Sequence, residues 1–199
     1  LEDPVEYQMA GVNQVQINPQ AGLTFASGLR SFLRQDPNVV MVGEIRDEET
    51  AELAVQASLT GHLVFSTLHT SSAAGALPRM LDMKAEPYLL ASTITAIVAQ
   101  RVGRQICKYC KTAYVPTQEV VDDIKRALGE LWSFDFAQDK KIELQKGLGC
   151  PQCGNTGFLG RIGIFEVLPI TEKIGRLILE RQPDSIIEKQ AILEGMITM

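Results

Sequence analysis

The chain has 199 residues, 19 of them basic and 24 acidic, so its formal net charge is −5 at pH 7 with neutral histidines. With 45% apolar and 22% charged residues, the composition is that of a folded globular protein and excludes an intrinsically disordered chain. The longest apolar stretch, residues 89–99, is about half as long as a membrane-spanning helix requires, so we predict no transmembrane segment. No signal peptide is visible. The mild acidity argues against a general nucleic-acid binder, and we expect no nucleic-acid partner.

Strand-like and helix-like patterns alternate over residues 1 to about 100. Two apolar runs, 39–42 and 63–68, are typical of strands that are buried on both faces of a parallel sheet. A short alternating run at 12–17 indicates one arm of a hairpin. Helical periodicity and capping residues predict helices over residues 23–33, 48–58, 73–81 and 87–100. Because strands alternate with helices, the predicted fold class is α/β, with a parallel sheet and right-handed crossovers.

Beyond residue 104 the pattern changes to a cysteine-bearing module, and we therefore divide the chain into residues 1–104 and 105–199. This second part is predicted to be small and mostly helical. Its predicted helices cover residues 117–131, 171–178 and 185–195. Residues 133–146 show no clear period and are interpreted as a loop, whereas the glycine-punctuated stretch 157–167 predicts a hairpin.

The four cysteines of the chain form two Cys-x-x-Cys pairs, which are Cys107 with Cys110 and Cys150 with Cys153. Two such pairs can complete a tetrahedral thiolate cage, which predicts a zinc ion. The cage has no spare ligand position for catalysis, so the predicted role of the metal is structural. Two alternatives are disulfides, which are disfavoured without secretory features, and buried inert thiols, which do not arise as matched pairs.

Charged residues follow three predicted strands at the carboxyl ends where open α/β sheets bind their ligands. Glu2 and Asp3 follow a first strand, Glu44 follows the second, and His69 follows the third. Carboxylates and an imidazole at these positions predict a site for magnesium, a positioned water and an anionic substrate. Taken singly, each residue has an alternative interpretation as an ordinary loop residue.

Further basic side chains lie close to these strand ends in the sequence. Arg30 and Arg34 are four residues apart on one predicted helical face, and Arg46 lies two residues beyond Glu44. Guanidinium groups at these positions are candidates to hold phosphate charge, with simple salt bridges as the alternative. His62 is a further candidate for a cofactor contact, and its alternative role is to cap a turn.

Four ordered motifs resemble one family, the type II secretion and type IV pilus assembly ATPases, also called the protein E family. Residues 33–47, Leu-Arg-Gln-Asp-Pro-Asn-Val-Val-Met-Val-Gly-Glu-Ile-Arg-Asp, resemble the family signature. Residues 2–7 resemble its Asp box and residues 60–70 its His box. The paired cysteines and residues 160–166 resemble its zinc-bearing C-terminal region.

The resemblance implies roles for the residues at the strand ends. Glu44 would be the Walker B glutamate that polarises the attacking water, and Glu2 and Asp3 would support the magnesium ion and the water. His69 would sense the γ-phosphate. The stretch that contains Arg30 and Arg34 would contact the nucleotide.

The resemblance also implies an architecture and partners. The fold would be an incomplete RecA-like domain, with its N-terminal strands missing, followed by the zinc module. The cofactors would be ATP with Mg²⁺ and structural Zn²⁺. The whole protein would form a homo-hexamer on the cytoplasmic face of the inner membrane, peripheral to it, and would act on an inner-membrane platform protein and on a cytoplasmic domain of the secretion or pilus machinery.

The chain departs from the family pattern in two ways. Asn38 stands where the family usually has Asp, which removes one charge. The phosphate loop Gly-x-x-x-x-Gly-Lys-Ser/Thr is absent, and in the family it precedes the Asp box. The sequence also opens with Leu1 rather than Met, so we expect a fragment that by itself neither binds nor hydrolyses ATP appreciably, whereas its parent protein does both.

Three alternatives remain open at this point. Within the family, the motifs do not separate type II secretion from pilus extension or DNA uptake. From another class, the chain would be a zinc-organised, non-catalytic scaffold or binding module of the same machinery. A third alternative is a zinc ribbon that binds nucleic acid through Arg101, Arg104, Lys108 and Lys111, which the acidic balance disfavours.

Overall fold

The computed structural model describes residues 1–128 and 142–199. The helices of these ranges are α1 (Phe25–Leu33), α2 (Glu48–Leu59), α3 (Ala76–Asp82), α4 (Pro87–Thr93), α5 (Gln118–Leu128), α6 (Glu172–Leu179) and α7 (Asp184–Leu193). Their strands are β1 (Val39–Val42), β2 (Leu63–Ser66), β3 (Ala96–Ile106), β4 (Lys111–Tyr114), β5 (Leu144–Gly147) and β6 (Phe158–Pro169). None of the described helices combines the length and the apolar character that crossing a bilayer requires.

The chain forms two compact units, which divide it differently from the predicted division after residue 104. One unit combines residues 1–100 with residues 165–199, and the other contains residues 101–164. The C-terminal helices belong to the first unit because α6 packs on α4: a Cβ placed on Gly175 would lie 3.8 Å from Cβ of Ala91. The buried side chains of Ile174 and Ile178 on α6 belong to the same hydrophobic core as Leu90 on α4.

A parallel sheet organises the first unit. Strands β1 and β2 pair in parallel from Val39 opposite Leu63 to Val42 opposite Ser66, which confirms the two strands and their direction. On the other side of β1, the Leu1 nitrogen donates to the Met41 carbonyl at 2.9 Å, and the Gly43 N–H donates to the Leu1 carbonyl at 2.8 Å. These two bonds have the pattern of a parallel strand pair, so the first residues of the chain extend the sheet.

Glu2 continues this arrangement on its outer side. Its N–H donates to the Val15 carbonyl at 3.1 Å, and its carbonyl accepts from the Ile17 N–H at 2.9 Å. Glu2 and Gln16 therefore form a parallel bridge. The hairpin predicted for residues 12–17 is wrong, because this segment lies parallel to the first residues instead of folding back on an antiparallel neighbour.

One face of the β1–β2 sheet is exposed, contrary to the prediction that both strands are buried on both faces. Val40 and Val42 point into the core. The side chains of the opposite face are about half exposed, with relative exposures of 46–55% for Val39, Met41, Leu63 and Phe65. The apolar runs identified the strands correctly but did not reveal that only one face packs against the described part of the chain.

Two helices of the first unit begin at capping residues. The Thr24 hydroxyl accepts from the Ser27 N–H at the start of α1, and the Ser27 hydroxyl accepts from the Thr24 N–H in return. Helix α2 begins after Asp47, whose carboxylate accepts from the Thr50 N–H at 2.8 Å. Such caps satisfy N–H groups that have no partner within the helix.

Three predicted elements differ from the structure. Helix α4 ends at Thr93 rather than near residue 100, because the following residues 94–98, which are β-branched except for Ala96, favour the extended β3. The stretch 157–167 is not a hairpin: residues 158–167 belong to the single strand β6, which pairs with β3. Part of the predicted loop 133–146 is β5, which pairs antiparallel with β4.

The unit of residues 101–164 is therefore built more on strands than the predicted helical module. Its described helix is α5, whose start agrees with the helix predicted for residues 117–131. The end of that predicted helix and residues 133–141 of the predicted loop lie outside the described residues. Helix α3 also begins at Ala76, three residues later than predicted.

Gly43 provides a test of how closely the first residues approach β1. A Cβ at this position would lie 3.0 Å from the Leu1 carbonyl oxygen and 3.4 Å from Cα of Glu2, so backbone atoms would have to move. We expect Gly43→Ala to lower the free energy of unfolding by about 1–3 kcal/mol in denaturant titrations. The control is Gly175→Ala, where the nearest atom is 3.8 Å away and the helix gains stability or changes little. Equal effects of the two substitutions would contradict this account.

Candidate functional site

The ends of β1 and β2 remain joined beyond their last strand residues. The Ile45 N–H donates to the Thr67 carbonyl at 3.0 Å, and the Thr67 hydroxyl donates to the Gly43 carbonyl at 2.6 Å. Glu44 lies between Gly43 and Ile45, the two residues that form these bonds. His69 follows two residues after Thr67. The backbone therefore brings Glu44 and His69 to the same edge of the sheet.

The Glu44 carboxylate is the centre of a three-residue cluster. Its side chain is 9% exposed, and its Oε2 lies 3.3 Å from Nε2 of His69, whose own side chain is 82% exposed. Arg46 donates from Nε to the same carboxylate oxygen. The cluster thus combines a buried anion, a guanidinium group that holds it, and an imidazole that faces solvent. This arrangement can orient a water molecule or a phosphoryl group beside a fixed carboxylate.

The backbone of Glu2 lies beside this cluster, but its carboxylate has another partner. The Gly43 N–H bond to Leu1 and the close approach of Gly43 to Cα of Glu2 place residues 2 and 44 on adjacent backbone segments. Glu2 Oε1 accepts from Nε2 of Gln14 at 2.8 Å. Asp3 is exposed. The contacts described for residues 1–128 and 142–199 do not join either carboxylate directly to Glu44.

Gln14 is a residue that the sequence analysis missed. Its side-chain amide donates to Glu2 and also to the Tyr7 carbonyl at 2.9 Å, while its carbonyl oxygen accepts from the Met9 N–H at 2.7 Å. One side chain thus holds the turn of residues 7–14 against the Glu2 carboxylate. No spacing or composition signal distinguishes such a glutamine from an ordinary loop residue.

The predicted phosphate-binding arginines have different surroundings. Arg30 on α1 forms an ion pair with Glu49 on α2, and both side chains are about half exposed. Arg34 is the C-terminal cap residue of α1 and is exposed. Arg46 is the predicted arginine that the structure brings to Glu44. A nucleotide contact of Arg30 or Arg34 stays a prediction.

His62 has the geometry of a helix cap. Its Nδ1 lies 2.9 Å from the Ala57 carbonyl oxygen and 3.0 Å from the Thr60 hydroxyl, at the C-terminal end of α2. These contacts agree with the alternative interpretation of His62 as a turn-capping residue. The contacts described for His62 do not include Glu44 or His69, and its contact with a cofactor stays a prediction.

The four cysteines converge in the second unit. Their Sγ atoms all lie within 4.8 Å of one another, at 3.9 Å for Cys107 and Cys150, 3.9 Å for Cys110 and Cys153, and 3.7 Å for Cys150 and Cys153. All four are free thiols, so the disulfide alternative is not what the structure contains. A zinc ion with bonds of about 2.3 Å separates its tetrahedral thiolates by about 3.8 Å. The cluster therefore fits one tetrahedral metal ion.

Backbone hydrogen bonds join the two cysteine pairs and also act on the sulfur atoms. The Cys107 N–H donates to the Gly157 carbonyl at 2.9 Å, which connects the first pair to the chain after the second. Burial raises the pKa of the Cys110 thiol to about 11. Burial also acts to raise the pKa of Cys153, but the N–H groups of Cys150 and Gly157 donate to its sulfur and, with the neighbouring thiols, lower this pKa to about 6. Such donors stabilise a thiolate, the form that binds metals.

The family of the chain follows from comparison with known proteins. The family described as "Type II/IV secretion system protein" matches residues 1–198, and the chain belongs to this family. The chain is 45% identical over 199 residues to the type IV pilus assembly ATPase PilB of Thermus thermophilus, and 46% identical over 189 residues to the type II secretion system ATPase E of Vibrio cholerae.

These relatives are much longer than the chain. The match to the Thermus protein covers 100% of this chain but only 22% of that protein. The match to the Vibrio protein covers 95% of this chain and 36% of that protein. Among solved structures, it is similar to the pilus retraction motor PilT with bound ADP, with a TM-score of 0.59 and 26% identity over the whole chain and 49% of that structure. The ATPase DotB of Yersinia pseudotuberculosis shares the fold, with a TM-score of 0.61 over 96% of this chain and 40% of that chain.

Proposed function

We propose that the chain is the part of a motor ATPase that carries the water-activating glutamate and a phosphate-sensing histidine. The observation that carries this proposal is the buried Glu44 carboxylate, in contact with Arg46 and His69 at the carboxyl end of a parallel sheet. The names of the relatives support ATP as the substrate, and type IV pilus assembly or type II secretion as the work performed.

The geometry supports a division of labour between the three residues. Glu44 is held in position by Arg46 and would accept the hydrogen bond of the attacking water. His69 is mostly exposed and can reach a γ-phosphate while remaining close to Glu44. Mg²⁺ neutralises developing phosphate charge when it is bound, and the oxygens of Glu2 and Asp3 are ligands of the type that it prefers.

The proposal requires phosphate contacts that these 199 residues do not contain. A phosphate loop supplies backbone N–H groups and a lysine that bind the β- and γ-phosphates. We therefore propose a RecA-like domain completed by a polypeptide that includes such a loop, and we expect the 199 residues alone not to turn over ATP. We further propose that the complete protein acts as a homo-hexamer at the cytoplasmic face of the inner membrane and works on a platform protein.

Replacing Glu44 in the full-length protein tests the proposed function. We expect Glu44→Gln to lower kcat for ATP hydrolysis by about 100-fold or more, because an amide cannot act as the base while its shape is retained. ATP binding should persist. The matched control is Glu52→Gln on α2, where an exposed glutamate bonds Gln56 and the rate should change less than about twofold. Hydrolysis is measured as phosphate release, and binding as displacement of a fluorescent ATP analogue.

Two outcomes would contradict the proposal in different ways. Equal hydrolysis by the Glu44→Gln and Glu52→Gln proteins would exclude Glu44 as the water-activating residue. Secretion or piliation that continues in cells carrying Glu44→Gln would instead support the non-catalytic scaffold, since a motor without hydrolysis cannot perform work.

We also propose that the four cysteines bind one structural zinc ion. The spacing of the two pairs, the Sγ separations and the N–H donors to Cys153 all support a thiolate site without an open catalytic position. Structural zinc sites contribute about 10–16 kcal/mol in small peptides, so the metal would supply much of the stability of the surrounding residues.

Metal analysis and hydrogen exchange test the zinc proposal. Freshly purified protein should contain about one zinc ion per chain, and Cys150→Ser should remove most of it. Chelation should increase amide exchange in β4 and β5, whereas α6 and α7 in the other unit should change little. Thr156→Ser, which preserves the hydroxyl donor near Cys153, serves as the control for a substitution beside the cluster. Full zinc content in the Cys150→Ser protein would exclude this site. Removal of the metal from the wild-type protein without any change in its amide exchange would also contradict the proposal.

A further inference from the structure

Glu166 is a buried carboxylate that the function proposed above does not use. It lies on the part of β6 that belongs to the first unit, and the residue is 2% exposed. Its Oε1 accepts from the Ala73 N–H at 2.7 Å, and its Oε2 accepts from the Met199 N–H at 3.3 Å. The side chain thus connects two segments that are far from it in sequence, by 93 and 33 residues.

Ala73 is at the far end of the loop that carries His69. At the near end, Thr67 is bonded to the backbone of Gly43 and Ile45, as described above. At the far end, Ala73 is fully buried and donates to Glu166. His69 lies between these two anchors. The position of its imidazole relative to Glu44 therefore depends on both.

Two hydrogen bonds within the loop involve Ser72. The Thr70 hydroxyl donates to the Ser72 carbonyl at 3.0 Å, and the Gly75 N–H donates to the Ser72 hydroxyl at 3.2 Å. These bonds are local and give the loop its shape without attaching it to another element. The bond from Ala73 to Glu166 attaches the end of the loop to a distant strand.

A carboxylate is energetically unfavourable at a buried position unless it has hydrogen-bond partners. Its neighbour two residues along β6, Leu168, is a core residue of the usual apolar type. Burying a charged group costs free energy unless hydrogen bonds compensate it, and bonds from N–H groups to a carboxylate are stronger than neutral ones. An apolar residue would fill the same space, but it could not hold the Ala73 N–H.

We propose that Glu166 is a positioning residue for the hydrolysis site: its bond to Ala73 sets the distance between His69 and Glu44, and its bond to Met199 links that distance to the C-terminal segment. The proposal rests on the function proposed above. A ligand or partner that moves the segment of residues 194–199 would then change the position of His69 without touching it.

A double-mutant cycle in the full-length protein tests the proposal by kinetics. Glu166→Ala should lower kcat for ATP hydrolysis about tenfold with KM changed less than about twofold, because a small misplacement of a catalytic group affects the rate more than binding. Glu166→Gln retains one acceptor oxygen for Ala73, so its kcat should lie about midway, on a logarithmic scale, between those of the wild type and Glu166→Ala. In a His69→Gln background, Glu166→Ala should cause no further loss. Glu172→Gln, an exposed glutamate on α6, is the control.

Two kinetic outcomes would overturn the proposal. One is a loss from Glu166→Ala that is the same with and without His69, because the two residues would then act independently. The other is an unchanged kcat in both Glu166 variants. If thermal unfolding shows that Glu166→Ala does not fold, Glu166→Gln replaces it in the double-mutant cycle with His69→Gln.

A spectroscopic measurement separates this proposal from the proposed function. In protein labelled with ¹³C at histidine Cε1, the signals of His69 and His62 are assigned with His69→Gln and His62→Gln. Glu166→Gln should shift the His69 signal and leave the His62 signal in place, because His62 is held by α2. An unmoved His69 signal would refute the positioning role even in an active enzyme. If the wild-type protein had no ATPase activity but Glu166→Gln still shifted the His69 signal, the proposed function would be refuted and the positioning role would not.

Discussion

The candidate site depends on the hydrogen bonds that keep β1 and β2 together after their strands end. The Thr67 hydroxyl bond to Gly43 and the Ile45 bond to Thr67 extend the parallel register past the last strand residues. Without this extension, Glu44 and His69 would lie on two independent loops. With it, a buried carboxylate and an exposed imidazole share one edge of the sheet at 3.3 Å, where ligands of parallel sheets bind.

Long-range contacts then hold this edge from both sides. On one side, the first residues of the chain lie against Gly43, where a Cβ would come within 3.0 Å of the Leu1 carbonyl oxygen. On the other, Glu166 in β6 reaches the end of the His69 loop. The site is therefore assembled from residues 1–2 and from β6 as well as from its central strands, and changes in residues 194–199 can reach it through a single carboxylate.

Local patterns predicted the parts of the fold that local forces determine. The apolar run of β1, the helical pattern of residues 23–33 and the spacing of the cysteines predicted a strand, a helix and a cluster of thiols, and all three were confirmed. Residues 96–100 were predicted helical because their apolar periodicity is ambiguous, whereas pairing with β6, some 60 residues later, makes them part of a strand. The partners of Glu2 and Glu166 could not be predicted, because they depend on tertiary contacts and not on sequence spacing.

An experimental structure of the full-length protein with Mg²⁺ and a transition-state analogue of the γ-phosphate tests the central claim most directly. The account predicts that one Glu44 oxygen lies about 3 Å from the attacking water, with His69 facing the phosphoryl group from the same edge of the sheet. A phosphoryl group bound at another edge, with Glu44 and His69 distant from it, would contradict the account.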